Sequence, residues 1–294
     1  MPERKDIIRR ESLLLVSGVF GPEDITASLL DEELSPPSQL NDVIEKAWEP
    51  RAKKGWKPLN LLHVAGVETN DKKIIIKFTH TNGRDFMGAS TWRSWKEKGL
   101  DLNLQSIPNP LVTSTVVITS DNKMIIQVRG ESAQQAGNID ALGGQIDPDE
   151  DLNADGKVNI FDSARREVTE ETGLANEHIT DFKCLGLIYN YSDTSHYAMP
   201  FVALTDLTAD EVLNLKRSDE EKKQVSIAVA DIDQYSSRNS NHIHNIIDAH
   251  LPNVDPEARL TIALARRYAR GCSAAYKQYG DQSRIIETYK NKRD

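Results

Sequence analysis

The chain has 294 residues, enough for one large domain or two modest ones, and its 38% hydrophobic and 28% charged residues predict a folded rather than a disordered protein. A net charge of -9 without a basic tract argues against a nucleic-acid or anionic-membrane partner, but a metal ion and a few arginines could still hold a small anionic substrate. The two cysteines, Cys184 and Cys272, exclude a disulfide framework. With no signal-like segment and no apolar run of transmembrane length, we expect a cytoplasmic protein of undetermined oligomeric state.

The N-terminal part of the chain mixes predicted strands and helices. Apolar runs bounded by turn residues predict three strands: Ser12–Phe20, Pro58–Glu68 and Lys72–His80. A short helix is predicted at Asp24–Leu30, and a longer one at Asn41–Lys53, where apolar residues recur at helical spacing. Residues 1–108 are therefore expected to form a smaller α+β region without a catalytic constellation of its own.

One segment of this region has binding-site character. Asn82–Trp92 is predicted to be a Gly-flanked loop that brings Arg84, Asp85, Phe86 and Trp92 together. Loops of this kind commonly carry binding residues on a rigid scaffold. The alternative is a structural turn with a buried phenylalanine and an Arg–Asp pair.

Asn109-Pro110 marks a predicted boundary, so that residues 109–294 form the second domain. Its predicted strands are Val112–Thr119, Lys123–Arg129, Gly137–Leu142, Leu185–Tyr191, Tyr197–Leu204 and Gln224–Val229. Its predicted helices are Phe161–Thr172, which Gly173 ends, and then Asn241–Leu251, Pro256–Gly271 and Ser273–Gln278. These elements indicate an α/β domain.

The helix that ends at Gly173 carries the most informative residues. Glu167, Glu170 and Glu171 fall at positions i, i+3 and i+4, which stacks three carboxylates on one face. Arg166, four residues before Glu170, relieves only part of their repulsion. Such a cluster suits a hard cation such as Mg²⁺, which prefers oxygen ligands and partners phosphates. The alternative for three glutamates alone is a solvated acidic helix face.

Upstream residues give this helix a specific context. Five residues separate Gly144 from Glu150, and Arg166–Leu174 reads Arg-Glu-Val-Thr-Glu-Glu-Thr-Gly-Leu. Together they resemble the box of the Nudix hydrolases: Gly, five residues, Glu, seven residues, then Arg-Glu-apolar-any-Glu-Glu-any-Gly-apolar. The second half matches at every defined position. The spacer departs from this pattern, because it has fifteen residues (151–165) in place of seven. Added loop length, however, costs little conformational entropy.

The resemblance implies a Nudix-type α/β/α sandwich with a mixed sheet, which cleaves a nucleoside diphosphate linked to another group with Mg²⁺ or Mn²⁺. The metal ligands that it implies are Glu167, Glu171, Glu170 and the backbone carbonyl of Gly143. Arg166 and Glu150 would pair and orient the glutamates. Glu170 is also the candidate base, although in this family the base can come from a separate loop.

Shorter stretches are similar to one Nudix subgroup, which carries an N-terminal extension and hydrolyses UDP-glucose and UDP-galactose to UMP and the sugar 1-phosphate. These stretches are Ala47–Arg51, Leu62-His63, Gly83–Gly88, Asn109–Leu111 and Gly143-Gly144. The similarity implies substrate contacts from Arg84, Asp85, Phe86 and Gly144. The alternatives are ADP-ribose or another nucleoside diphosphate derivative as substrate, and a non-catalytic nucleotide-sensing module.

The long spacer contains a second pattern. Asp151–Asp162 resembles an EF-hand or dockerin calcium loop, with Gly156 at position 6. Side-chain oxygens would come from positions 1, 3, 5 and 12 and a carbonyl from position 7, which are Asp151, Asn153, Asp155, Asp162 and Lys157. Aspartate at position 12 suits the dockerin pattern better than the EF-hand pattern. A bound Ca²⁺ would rigidify the entry to the catalytic helix, and the alternative is a flexible acidic insert.

Two histidine patterns carry less weight. His242 and His244 stand two apart and share no helix face, which argues against a metal pair. Asp193 and His196 lie between two predicted strands, so they either form a hairpin turn or line the mouth of a pocket that holds sugar.

Overall fold

A computed structural model describes the chain at residues 12–70, 72–89, 106–130, 137–190, 195–217, 225–231 and 254–269. The described part has the mixed α/β architecture that the sequence predicts, with two sheets and flanking helices. No helix within it is long and apolar enough to cross a membrane. Two predicted helices, Asn241–Leu251 and Ser273–Gln278, lie outside the described residues, as do Trp92, Asp193, both histidines of the 242/244 pattern and Cys272.

Most elements form where the pattern of apolar residues predicts them. The strands are β1 (Ser12–Phe20), β2 (Ile25–Glu33), β3 (Asn60–Thr69), β4 (Ile74–Asn82), β5 (Leu111–Ile118), β6 (Lys123–Arg129), β7 (Ile139–Asp140), β8 (Ile179–Asn190), β9 (His196–Thr205) and β10 (Val225–Asp231). The helices are α1 (Asn41–Ala52), α2 (Gly83–Ala89), α3 (Pro148–Asp151), α4 (Ile160–Thr172), α5 (Ala209–Leu213) and α6 (Pro256–Ala269).

The larger sheet has the strand order β1-β8-β9-β5-β6-β10, with β7 beside β6. β5 and β9 run parallel, whereas β1 with β8, β8 with β9 and β6 with β10 run antiparallel, so the sheet is mixed. The smaller sheet has the order β2-β4-β3. β1 comes from the N-terminal part of the chain but pairs with β8, so this part contributes to both sheets. The division at Asn109 stays a prediction.

Both faces of the larger sheet are apolar because successive strand residues point to opposite sides. On one face, the sheet packs against α4 and the smaller sheet through buried residues that include Phe161, Val168, Phe78 and Phe201. The rings of Phe161 and Phe201 meet edge to face at 5.1 Å. On the other face, buried residues of α6 pack against β5, β6, β8 and β9. The larger sheet therefore lies between helices, and α4 is held by its own apolar side.

Two local predictions are wrong in the described residues. Asp24–Leu30 is not a helix, because the run joins β2 and pairs in parallel with β4. Asn82–Trp92 is not wholly a loop, because α2 occupies Gly83–Ala89. The Asn82 side chain accepts a hydrogen bond from the Asp85 N–H at 2.9 Å, which caps the helix. Gly88 lets α2 approach α1 closely, since a Cβ there would lie 2.5 Å from Ile44.

The inserted spacer is bound to the smaller sheet. The Leu29 N–H donates to the Gly156 carbonyl at 2.8 Å, and the Val158 N–H donates to the Ala27 carbonyl at 3.1 Å. These bonds pair the insert antiparallel with the outer edge of β2. The insert therefore joins the N-terminal sheet to the residues that precede α4.

Gly173 ends α4 in a left-handed conformation, at φ 78°, and there is no room for a side chain there. A Cβ would lie 2.5 Å from the Lys216 carbonyl oxygen. We expect Gly173→Ala to lower the free energy of unfolding by about 1–2 kcal/mol from the conformation and by roughly 1–3 kcal/mol more from the collision. Gly55→Ala is the matched control, because Gly55 has φ 81° in open space. Urea denaturation measures both, and equal losses would contradict this account.

Candidate metal and substrate site

The turn before α3 runs along β5. The Thr115 N–H donates to the Leu142 carbonyl at 2.6 Å, and the Thr113 N–H donates to the Gly144 carbonyl at 2.9 Å. These bonds hold the backbone of Gly143 and Gly144 against the strand at the centre of the sheet. The turn is consequently a rigid platform for the groups that face it.

Both glycines of the turn lie in close contact with their surroundings. Gly143 has φ 146°, and a Cβ on it would collide with the carbonyl oxygen of Thr113. A Cβ on Gly144 would lie 2.6 Å from the carboxylate of Glu167. The carboxylate of Glu167 therefore lies directly against the backbone of the turn.

Helix α4 brings its acidic face to the same turn. The Asn159 side chain accepts from the Asp162 N–H at the start of the helix. Glu171 shares the buried side of α4 with Val168, and its carboxylate accepts a hydrogen bond from the Gly143 N–H at 2.9 Å. The side chain of Glu167 is 15% exposed and that of Glu170 is 46% exposed. Exposure thus increases from Glu171, which is buried, through Glu167 to Glu170, which is half-exposed. The three glutamates therefore do not form a solvated face.

Arg166 joins the two halves of the motif. Its Nη1 lies 3.1 Å from a Glu150 oxygen, 3.2 Å from Glu167 and 3.3 Å from Glu170, and its Nη2 lies 3.3 Å from Asp151. Burial alone would lower the pKa of the guanidinium, but these four carboxylates raise it above its ordinary value. Arg166 is therefore charged and fixes the spacing between α3 and α4.

The arrangement fits a magnesium ion with few protein ligands. In the described part of the chain, no three His, Cys, Asp or Glu side chains are arranged as a ready-made metal cage. Mg²⁺, however, usually binds through one or two carboxylates, with waters and substrate phosphates as its other ligands. Glu167 and Glu171 supply two such carboxylates at the Gly143-Gly144 turn.

Asp151, the first residue of the calcium-like pattern, is turned toward α4. Its carboxylate accepts from the Asp147 N–H at 2.8 Å and from the Ser163 hydroxyl at 2.9 Å, and it also pairs with Arg166. The sequence pattern assigned Asp151 to calcium and missed these contacts, which have no recognisable local spacing.

The remaining residues of the pattern form local contacts. Asn153 Oδ1 accepts from the Asp155 N–H at 3.0 Å and from the Lys157 N–H at 2.9 Å, and Asp162 accepts from the side chain of Asn159. Gly156 has φ 71°, which agrees with a glycine at the sharp turn of such a loop. The calcium site stays a prediction.

A cavity of about 280 Å³ opens beside the Gly143-Gly144 turn. It is lined by residues of β5, β6 and β7, the beginning of β9, the beginning of α6 and one residue of α2. Its lining residues are Phe86, Pro110, Val112, Thr113, Ser114, Gln127, Arg129, Asp140, Ala141, Gly143, Gly144, Gln145, His196, Asp255 and Glu257. The cavity places a polar space directly next to the motif.

Only two of the four predicted substrate residues lie at the cavity. Phe86 and Gly144 line the cavity, whereas Arg84 and Asp85 are outside its lining. Arg84 instead pairs with Glu45 on α1, and Asp85 accepts from the Asn82 side chain at 3.0 Å. Phe86 therefore connects the N-terminal part of the chain to this cavity.

Several ionisable groups line the cavity, and sequence patterns gave no signal for most of them. His196 Nε2 lies 2.5 Å from Glu257 Oε2, and Arg129 Nε donates to Asp140 at 2.7 Å. Burial raises the pKa of Asp140 to about 7, although Arg129 opposes this, and burial also raises the pKa of Asp255. Burial alone would lower the pKa of Arg129, but the nearby carboxylates raise it. His196 was predicted either to line a pocket or to form a turn, and it lines the cavity at the start of β9.

No family model matches the chain, and no curated protein matches it. The fold is similar to that of solved Nudix structures, although the overlap is partial. The NUDIX domain of Shewanella oneidensis NrtR, solved as a complex with ADP ribose, is 15% identical over 59% of this chain and 97% of that chain, with a TM-score of 0.40. A NUDIX hydrolase from Nitrosomonas europaea is 17% identical over 55% and 90% of the two chains, with a TM-score of 0.36.

A third similar structure is a bifunctional NMN adenylyltransferase/ADP ribose pyrophosphatase from Francisella tularensis, complexed with AMP and a Mn ion. It is 18% identical over 59% of this chain and 44% of that chain, with a TM-score of 0.33. At this degree of overlap, membership of the family is a proposal that rests on the chain's own residues.

The two glycines of the turn give different expected effects. Gly143→Ala sets a side chain against backbone, so we expect a loss of about 2–4 kcal/mol in the free energy of unfolding. Gly144→Ala meets only the flexible end of Glu167, so we expect less than about 1 kcal/mol. Urea denaturation of the two variants measures the difference. Equal losses would show that the turn is not held against β5 as described.

Proposed function

We propose that the protein hydrolyses the diphosphate bond of a nucleoside diphosphate linked to another group, in a Mg²⁺- or Mn²⁺-dependent reaction. The observation that carries this proposal is the meeting of two motif halves that the long spacer separates along the chain. Gly143 bonds Glu171, Gly144 touches Glu167, and Arg166 pairs with Glu150. Burying a carboxylate is costly unless it is paired or hydrogen-bonded, so these contacts argue against an incidental acidic face.

Each of these residues has a distinct task in the proposed reaction. Glu167 and Glu171 would hold the metal. The Gly143 N–H fixes the carboxylate of Glu171, and Arg166 orients Glu167. A bound Mg²⁺ would neutralise the diphosphate and lower the pKa of a coordinated water. The protein's contribution is to keep both carboxylates at one point of the turn without rearrangement.

Glu170 is the proposed water-activating base. Its side chain is 46% exposed, so water reaches it, and Arg166 holds it at 3.3 Å on the same helix face as Glu167. A general base must lie within hydrogen-bond reach of the proton that it accepts, and its position beside the metal-binding glutamates supports this role.

Within this class, the substrate that we propose is UDP-glucose or UDP-galactose. Support comes from stretches that resemble the nucleotide-sugar subgroup and that the fold connects. His63 Nδ1 accepts from the Asn109 N–H at 3.0 Å, and Asn109 Oδ1 accepts from the Tyr189 hydroxyl at 3.0 Å. Phe86, from another of these stretches, lines the cavity. ADP-ribose or another nucleoside diphosphate derivative is the alternative substrate, and a nucleotide-sensing module without catalysis is the alternative function.

The hydrolase proposal is tested with UDP-glucose, UDP-galactose, ADP-ribose and ADP-glucose in the presence of Mg²⁺. We expect wild type to cleave at least the UDP-sugars to UMP and sugar 1-phosphate. Glu171→Gln and Glu167→Gln should lose roughly a thousandfold in kcat/KM, because each removes a negative charge from the metal site. Product identification by chromatography and steady-state rates provide the measurement.

Glu177→Gln is the matched control, since Glu177 is exposed and lies just beyond the motif. It should cleave as fast as wild type. No cleavage of any compound by wild type, or equal rates for Glu171→Gln and wild type, would remove the hydrolase proposal. Preferential cleavage of ADP-ribose would support the hydrolase proposal but would identify ADP-ribose, and not a UDP-sugar, as the substrate.

The calcium site has a separate test. If the folded insert binds Ca²⁺, a free Ca²⁺ concentration of about 100 times Kd should raise the free energy of unfolding by roughly 3 kcal/mol. The melting temperature should then be about 5 °C higher than in a chelator control. Asp155→Ala should abolish this rise, while Mg²⁺ in place of Ca²⁺ should give a smaller one. An unchanged melting temperature in wild type would remove the calcium prediction.

A further inference from the structure

The cavity beside the turn is rich in hydrogen-bond acceptors. Asp140, Asp255 and Glu257 all contribute carboxyl groups to its lining, which also includes Arg129 and His196. An ionised carboxylate accepts hydrogen bonds and cannot donate them. Since hydroxyl groups both donate and accept, they can bond carboxyl groups in either protonation state, so a hydroxyl-bearing ligand matches this lining.

The three carboxylates differ in how far the protein already occupies them. Asp140 accepts from Arg129 Nε at 2.7 Å and from the Ala141 N–H at 2.8 Å. Asp255 accepts from the Glu257 N–H at 3.0 Å and so caps α6. In the described part of the chain, Glu257 is bonded through one oxygen, Oε2, to His196. Since a carboxylate has two oxygens, Asp255 and Glu257 both retain capacity for a ligand, and His196 fixes the orientation of Glu257.

Size and charge restrict the ligand further. A volume of about 280 Å³ lies just below the usual range for ligand sites, which begins at about 300 Å³, so the cavity accommodates a single ring rather than a whole nucleotide sugar. Ionised carboxylates in the lining would repel a phosphate group, and the guanidinium of Arg129 is already paired with Asp140. A neutral ring with several hydroxyl groups satisfies both conditions.

We propose that this cavity binds a hydroxyl-bearing sugar ring of the substrate, with Glu257 accepting hydrogen bonds from its hydroxyls and His196 positioning Glu257. The ring is either the ribose of the nucleotide or the sugar beyond the diphosphate. The inference rests on the proposed function for the identity of the whole substrate. It goes beyond that function by assigning the recognition of the ring to residues outside the motif.

The test compares Glu257→Gln with wild type on three diphosphates: UDP-glucose, which has both rings, UDP methyl ester, which has only the ribose, and methyl glucosyl diphosphate, which has only the glucose. Glutamine keeps the shape of the side chain but removes its charge. We expect kcat/KM to fall about 10- to 100-fold, mainly through KM, on each substrate that retains the bound ring. The compound lacking that ring should respond less than threefold.

The pattern of losses distinguishes the two rings. A loss on UDP-glucose and UDP methyl ester assigns the ribose to the cavity, and a loss on UDP-glucose and methyl glucosyl diphosphate assigns the sugar. Equal kcat/KM for Glu257→Gln and wild type on all three would overturn the proposal. Glu177→Gln serves again as the control on an exposed carboxylate, and melting temperatures verify folding. If Glu257→Gln folds poorly, Glu257→Asp keeps the charge, shortens the reach and should still raise KM.

Binding of neutral probes separates this inference from the hydrolase proposal. Uridine and methyl α-glucoside carry no phosphate, so their binding is independent of metal and of catalysis. By ligand-observed NMR, at least one should bind wild type, and Glu257→Gln should weaken that binding about tenfold. If wild type cleaves no diphosphate yet this difference is present, the function fails and the ring site stands. If Glu257→Gln binds both probes as wild type does, the ring site fails.

Discussion

The site depends on a single close approach, that of the Gly143 backbone to the carboxylate of Glu171. The apolar residues of α4 face the core, and this fixes the helix in the rotation that buries Glu171. Such a carboxylate needs a donor inside the protein, and the Gly143 N–H supplies it at 2.9 Å. The donor can reach it only because the turn lies against Thr113 of β5, where no side chain fits at position 143. Helix packing and backbone geometry thus determine together where the carboxylate lies.

Arg166 and the insert extend this constraint beyond the helix. The guanidinium contacts Glu150 and Asp151 on one side of the spacer and Glu167 and Glu170 on the other. Between these contacts, the insert pairs with the edge of β2. The additional residues are therefore held at both ends and in the middle. This explains how a motif with a long spacer keeps its two halves in contact, and it links the N-terminal sheet mechanically to α4.

Local signals were sufficient where the decisive interactions are local. α4 could be predicted because a glycine, Gly173, ends it, and β5 and β6 because Val112–Thr119 and Lys123–Arg129 are apolar runs bounded by turn residues. Asp24–Leu30 could not, because pairing with β4 outweighs its helical pattern. The His196–Glu257 contact joins residues 61 apart in the chain, and the Arg166–Asp151 contact competes with a calcium-like pattern. Neither contact has a spacing that a single sequence reveals.

Electrostatics also predicts how the proposed substrate is oriented in the site. The motif and the cavity wall both carry carboxylates, and their guanidinium groups, on Arg166 and Arg129, are already ion-paired. A diphosphate brought to this surface would be repelled unless a divalent cation lay between the phosphates and the pair Glu167 and Glu171. The same carboxylates in the cavity attract hydroxyl donors. In the proposed reaction, the anionic part of the substrate therefore belongs at the turn with the metal and its uncharged ring belongs against Glu257, so that charge alone distinguishes the two ends.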